Sequence, residues 1–297
     1  ISYAATVTVT DGINSTTQDI VVTVTDIDDI TPVITSSASF SAAENQAEIG
    51  TISATDVDST SIAFSVSGDV LTITDAGVLS FVSVPDYEVQ ASYTATITAT
   101  DGSNSVTQVI TVAVTDVDDV APTFTSSDSF SAAENQTAIG TVTATDIDSA
   151  TVTFSVSSSE VAISAGGVLS FVAPADYEVK SAYSVVVTAT DGTNSATQTV
   201  DIEVQDANDN APVISSPAVF DADENQTAIG VVTASDADSE SITFSVSGDD
   251  LAITAEGVLS FKVAPDYEVQ ASYTATITAS DGSNSVTQVI TVAVTDV

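Results

Sequence analysis

The chain contains no cysteine, histidine, methionine or tryptophan, and Lys180 and Lys262 are its only bases. Each absence excludes a chemistry. Without thiols and imidazoles there is no thiol nucleophile, no Ser-His-Asp triad, no disulfide and no ordinary zinc or haem site. Two lysines cannot neutralise a phosphate backbone, so nucleic acid is excluded as a partner. An anionic membrane surface would repel the chain for the same reason. No apolar run is long enough to span a bilayer, so no direct membrane insertion is expected. Ile1 opens no basic and apolar leader. With no methionine anywhere, the chain reads as a window on a longer polypeptide.

What is present is acid. Forty-two Asp and Glu against two lysines give a formal charge of −40 over 297 residues. Such charge with few aromatics can mean disorder. Here 43% of residues are hydrophobic and the mean hydropathy is +0.31, so the chain can bury cores. The acid belongs to a folded protein.

Self-similarity organises the chain. Pro85 to Val117 returns as Pro265 to Val297, and only Thr100 against Ser280 differs. Glu44-Asn45-Gln46 returns at Glu134 and Glu224, and Asp86-Tyr87-Glu88 at Asp176 and Asp266, always 90 residues on. Full repeats therefore occupy 30–119, 120–209 and 210–297. Residues 1–29 match the last third of another, a C-terminal strand pair that should lack a core. It should be mobile or paired with a neighbouring molecule.

Within a repeat the apolar pattern has period two. Tyr93, Ala95, Ile97 and Ala99 alternate with threonines, as do Ile110, Val112 and Val114 with Thr111 and Ala113. Alternation of this kind lines one face of an antiparallel sheet, and Val, Ile and Thr suit the pleat. Turn residues such as Asp101-Gly102 and Ala76-Gly77 separate the runs. About seven short strands per repeat predict an all-β chain of tandem sandwiches. The Phe40, Phe130, Phe220 and the Phe81, Phe171, Phe261 series are expected in the cores, and both lysines in solvent.

The carboxylates recur at turns and junctions rather than along strand faces. Clustered like charge is unfavourable unless a cation offsets it, and none of these recurrent motifs contains a basic residue. Residues two apart in extended backbone point the same way, roughly 7 Å apart, so pairs such as Asp146 and Asp148 can converge on one ion. All-oxygen donors favour Ca²⁺, which takes about six to eight oxygens, over Mg²⁺, which keeps its waters. An EF-hand is excluded: counting twelve residues from Asp26 ends at Ser37, and no Gly stands sixth.

The set Glu-Asn, Asp-X-Asp, Asp-Tyr-Glu, Ala-Thr-Asp-Gly and Asp206-Ala207-Asn208-Asp209-Asn210-Ala211-Pro212 resembles the cadherin-type repeat. The short, Cys-free, Thr/Ser/Ala/Val-rich units resemble the cadherin-like extender domains of large bacterial surface adhesins more than animal cadherins. The resemblance implies seven-stranded Greek-key sandwiches in a linear rod, with about three Ca²⁺ at each complete inter-domain junction. It implies an extracellular, cell-surface location, with neighbouring repeats of the same chain as the first partners.

Carried over by position, the junction between the second and third repeats takes Glu134, Asp176 and Glu178 from upstream. The linker adds Asp206, Asn208, Asp209 and the Asn210 carbonyl, and Asp236, Asp238 and Asp281 come from downstream. The preceding junction takes Glu44, Asp86, Glu88, Asp116, Asp118, Asp119, Asp146, Asp148 and Asp191. There Asp118 and Val120 stand in place of the linker asparagines. The first junction keeps Asp26, Asp28, Asp29, Asp56, Asp58 and Asp101 without upstream partners. The last keeps Glu224, Asp266, Glu268 and Asp296 without downstream ones. Both end sites are expected to be weak or vacant.

Two functions fit these residues. One is a calcium-stiffened spacer in an adhesin. The other is a recognition module, binding like chains or surface glycans through the repeats themselves. A glycosidase pair in Asp-Tyr-Glu is disfavoured, because catalysis needs one cleft and the motif recurs in every repeat beside other acids. Sequons at Asn14, Asn135 and Asn225 are expected by chance in a Thr-rich chain.

Overall fold

The computed structural model describes residues 1–59, 61–238 and 241–297. The chain divides into two compact units, Ile1–Val120 and Ala121–Val297. Among the described residues all regular structure is strand.

The first unit opens with a hairpin of β1 (Ser2–Thr10) and β2 (Ser15–Thr23), paired from Ser2↔Thr23 to Thr10↔Ser15. A sandwich follows, of β3 (Val33–Ile34), β4 (Ser39–Ala43), β5 (Glu48–Thr51), β6 (Ala54–Thr55), β7 (Ala63–Val66), β8 (Leu71–Ile73), β9 (Val78–Phe81), β10 (Ser92–Thr100) and β11 (Ser105–Thr115). One sheet has the order β4-β11-β10-β7 and the other β5-β9-β8, with β3 pairing β6. β4 runs parallel to β11; the other pairs are antiparallel. Taking β3 with β4 and β5 with β6 as interrupted strands leaves seven, as the alternation predicts. The register shift at Glu48/Gly50 breaks the first half of the β5–β6 strand.

The core lies between the two sheets. Ile52, Leu71, Leu79 and Phe81 face Ile97, Ile110, Val112 and Val114, all buried. Phe40 and Phe64 are half-buried against this cluster. The turn from β8 to β9 requires glycine: Gly77 has φ +81°, and a Cβ there would lie 2.2 Å from the Ile52 carbonyl oxygen. Its own carbonyl accepts the Ile52 N–H at 2.8 Å.

The second unit repeats the sandwich twice, with cores around Val142, Leu169 and Ile202, and around Val232, Leu259 and Ile290. Phe171 and Phe261 are buried in them, and Phe130 and Phe220 pack at their edges.

The β1–β2 hairpin has the register of β10–β11 but not its cover. Val22 is 55% exposed, whereas its counterpart Val112 is at 0%. Tyr3, Val9 and Val24 are exposed as well.

Candidate metal centre

The second unit brings the residues named for its internal junction together. Glu134 directly follows the strand Ser129–Ala133 and is buried, with 5% exposure. Its Oε2 accepts the Tyr177 N–H at 2.8 Å and its Oε1 the Ala207 N–H at 2.6 Å. The Asp-Tyr-Glu turn and the linker are thus held to one carboxylate. Oxygens of Glu134, Asp176 and Glu178 lie within 4.8 Å of one another, as do those of Glu178, Asp206 and Asp238. Glu178 therefore stands between the upstream acids and a downstream one.

The linker is held from both sides. Asn135, in the left-handed region at φ 60°, donates its side-chain amide to Asp209 Oδ2. The Asn210 N–H donates to Asp238 Oδ2 at 2.8 Å, and Asn210 Nδ2 to Asp238 Oδ1 and Asp209 Oδ1. Asp236 Oδ1 accepts the Asp238 N–H at 3.0 Å. Asp281 Oδ1 accepts the N–H groups of Ser283 and Asn284, both at 2.6 Å. The second oxygens of Asp236 and Asp281 are buried with no partner.

The first unit shows both kinds of half-site. Upstream of its linker, Glu44 accepts from Tyr87 and Val117 N–H groups, each at 2.8 Å. Glu44, Glu88 and Asp116 converge within 4.8 Å. Asp86 Oδ1 caps the Val89 N–H, and Asp119 accepts from Asn45, again left-handed at φ 62°. At the other end, Asp28, Asp56 and Asp58 converge within 4.8 Å. Asp58 Oδ2 accepts from Asp29 and Ile30 N–H groups, both at 3.0 Å. Asp28 Oδ1, Asp56 Oδ2, Asp58 Oδ1 and Asp101 Oδ2 are buried without partners. Asp26 precedes this cluster by two residues. In the second unit Asp146 Oδ1 caps Asp148 and Ser149, and Asp191 Oδ1 caps Thr193 and Asn194. Glu224 repeats the Glu134 pattern, accepting from Tyr267 and Val297. Asp266 Oδ1 accepts the Glu268 N–H at 3.1 Å, and Asp296 follows the last strand.

Crowding shifts several of these groups. Burial pushes the Glu178 carboxyl up, reinforced by the charges of Glu134 and Asp238. Asp206 rises through burial and then the charges of Asp238, Glu134 and Asp209. Asp28 rises through burial and the charge of Asp101, with smaller contributions from Asp58 and Asp56. Others are held low: Asp238 chiefly by the Asn210 side-chain amide, and Asp58 by the Asp29 N–H. Burial works to raise Asp281, but the Asn284 and Ser283 N–H groups outweigh it.

The lysines do not serve these acids, and Lys180 keeps an exposed side chain while making a surface ion pair. Its Nζ pairs with Glu160 at 2.6 Å and lies 4.2 Å from the Tyr183 ring centre. Lys262 Nζ donates to the Gly248 carbonyl. A carboxylate oxygen taken from water without a partner is unfavourable, and here several point into common spaces. An all-oxygen donor set, part carboxylate and part amide, suits a hard divalent cation.

Two contributors were missed in the sequence: Asn135, which marks the repeat and a sequon but was not expected to hold the linker, and Asn284, which was not singled out. Their recurrence every 90 residues was the available signal.

A family model described as a bacterial Ig domain matches residues 118–203. Mouse cadherin EGF LAG seven-pass G-type receptor 1 is 33% identical over 132 residues, which cover 40% of this chain and 4% of that protein. Among solved structures, mouse cadherin-23 EC22-24 superposes with a TM-score of 0.76 at 22% identity, covering 91% of this chain and all of that one. The protocadherin GammaB4 extracellular domain gives 0.78 at 25% identity, over 99% of this chain and 54% of that one. The chain has the fold of cadherin extracellular repeats, β-sandwiches following one another in sequence. This chain spans a small fraction of the curated relative's length.

Proposed function

We propose that this segment is a calcium-stiffened spacer of an extracellular adhesion protein, its repeats bounded at 30, 120 and 210. The observation that carries the reading is the orphaned, buried carboxylate oxygen of Asp281 and Asp236 beside a linker already clamped at Asp209 and Asn210. Bound calcium would supply positive charge to a cluster with no base in contact.

Glu134, Asp176, Glu178, Asp206, Asn208, Asp209, the Asn210 carbonyl, Asp236, Asp238 and Asp281 would hold it at the junction inside the second unit. Glu44, Asp86, Glu88, Asp116, Asp118 and Asp119 would be ligands contributed by the first unit, and Asp146, Asp148 and Asp191 ligands contributed by the second. Asp28, Asp56, Asp58 and Asp101 form a half-site, as do Glu224, Asp266, Glu268 and Asp296. Extracellular modules hold Ca²⁺ with dissociation constants of about 10⁻⁴–10⁻³ M. The protein's part is to keep the linker extended and its oxygens aimed.

The spacer is favoured over a recognition module by the surface. Exposed aromatic anchors mark recognition patches. Among the described residues the exposed large apolar side chains are Val and Ile, with Tyr3, Tyr87 and Tyr267 as the exposed aromatics. Tyr87 and Tyr267 belong to the junction motif itself. Calorimetric titration of chelator-stripped protein with Ca²⁺ tests the metal assignment. Saturable binding in the millimolar range or tighter supports it, and no heat above dilution contradicts it.

A further inference from the structure

The Asp-Gly-X-Asn turn between the last two strands of the first and third sandwiches does more than reverse the chain. In the third sandwich, Asp281 Oδ1 holds the Ser283 and Asn284 N–H groups, and Ser280 Oγ donates to the Asn284 carbonyl at 2.9 Å. The backbone of Asn284 is thereby fixed, and its side chain projects onto the linker. Asn284 Nδ2 lies 3.3 Å from the Asn208 carbonyl oxygen, 3.2 Å from Asn208 Oδ1 and 3.1 Å from the Asn210 carbonyl oxygen. The first sandwich repeats the arrangement. Asp101 Oδ1 holds Ser103 and Asn104, Thr100 Oγ1 donates to the Asn104 carbonyl, and Asn104 Nδ2 lies 3.4 Å from the Ile30 carbonyl oxygen. Residue 30 is the linker position equivalent to 210.

We propose that Asn284, and Asn104 in its own repeat, is a positioning residue for the cation site, seating the linker carbonyl of residue 210 or 30. The inference rests on the calcium reading above. A carbonyl oxygen has two lone pairs. The side-chain amide takes one and orients the peptide plane, leaving the other free for a cation. The choice of residue follows from charge. Asn is neutral and offers two N–H donors to three acceptors. A carboxylate of the same shape would face those acceptors with no proton to give. A basic side chain would place its own charge beside the cation. Groups that orient a ligand from behind typically cost 10–100-fold in metal affinity when removed.

The test uses the full chain with Asn284→Ala and Asn284→Asp. Amide NMR signals of Ala207 and Asp209 follow Ca²⁺ titration at this linker, whose sequence differs from the other two. Thermal melts in chelator report the fold separately. The expected result is at least about a tenfold loss of Ca²⁺ affinity at this linker, with melting in chelator close to wild type. Unchanged affinity in both variants overturns the role of Asn284 while leaving the calcium reading intact. An equal loss of melting temperature in chelator and in calcium, without an affinity change, also overturns it by reducing Asn284 to a turn residue. A wild-type chain that binds no Ca²⁺ overturns both readings.

Discussion

Glu134 and Ala207 are 73 residues apart, and the Ala207 N–H donates to the buried Glu134 Oε1 at 2.6 Å. The same carboxylate holds Tyr177, so one side chain ties the end of a sandwich to the linker that leaves it. These bonds are made by protein groups alone. Leaving a buried donor unsatisfied costs about 1–3 kcal/mol. Glu134→Ala is therefore expected to lower the melting temperature in calcium and in chelator alike. A variant that melts like wild type in chelator would show that Glu134 acts only through the cation.

Glu178→Gln should behave differently. Glu178 is destabilised as a charge by burial and by Glu134 and Asp238. Neutralising it is expected to raise the melting temperature in chelator and to weaken Ca²⁺ binding. Thermal melts in the two conditions check the sign. A loss in chelator would contradict the like-charge account.

The pH dependence without calcium follows from the same shifts. Glu178, Asp206 and Asp28 have folded values raised above 4.5 for Glu and 3.8 for Asp. Their contribution to stability is fully present below those unfolded values and is lost as pH rises through the folded ones. Asp58, Asp238 and Asp281 lie below 3.8. Theirs is present above 3.8 and is lost as pH falls through the folded values. Melting temperature in chelator should therefore peak at about pH 4, where the second set is already ionised and the first still keeps its protons. A steady fall from neutral pH downward would contradict the assignment. Calcium affinity should fall with acidification, because protons compete for the raised groups.

Burial separates the hairpin from the sandwiches. Ile97 is fully buried, and Ile97→Ala should destabilise the first sandwich by about 2–5 kcal/mol. Val22→Ala, on the uncovered face, should stay within about 0.5 kcal/mol. Denaturant melts of the two variants measure the difference. A comparable loss from Val22→Ala would mean that another surface covers β2 in solution.

The strands were legible because burial follows the alternation. Ile110, Val112 and Val114 are buried, while Thr111 and Ala113 between them are exposed. The acidic positions were legible through their 90-residue recurrence, which marks places in the fold rather than composition. Hydrogen-bond direction was not. Glu-Asn-Gln looks like a turn whether or not Asn135 reaches Asp209, because that contact spans 74 residues. Lys180 was unreadable for a related reason. Glu160 meets it through sheet packing, 20 residues away, and no spacing rule in a β-sandwich connects those two positions.

The central claim is that the acids serve a cation that keeps the repeats in line. Small-angle scattering of the full chain in calcium and in chelator, with melts of the same samples, tests it most directly. A strand of eight to ten residues spans about 30 Å, so each sandwich with its loops should be about 40 Å long. Three in line predict a maximum dimension of at least about 120 Å in calcium. In chelator the account predicts a broader distance distribution and a lower melting temperature. Identical scattering and melting in the two conditions would make the acids a solvated surface and contradict it.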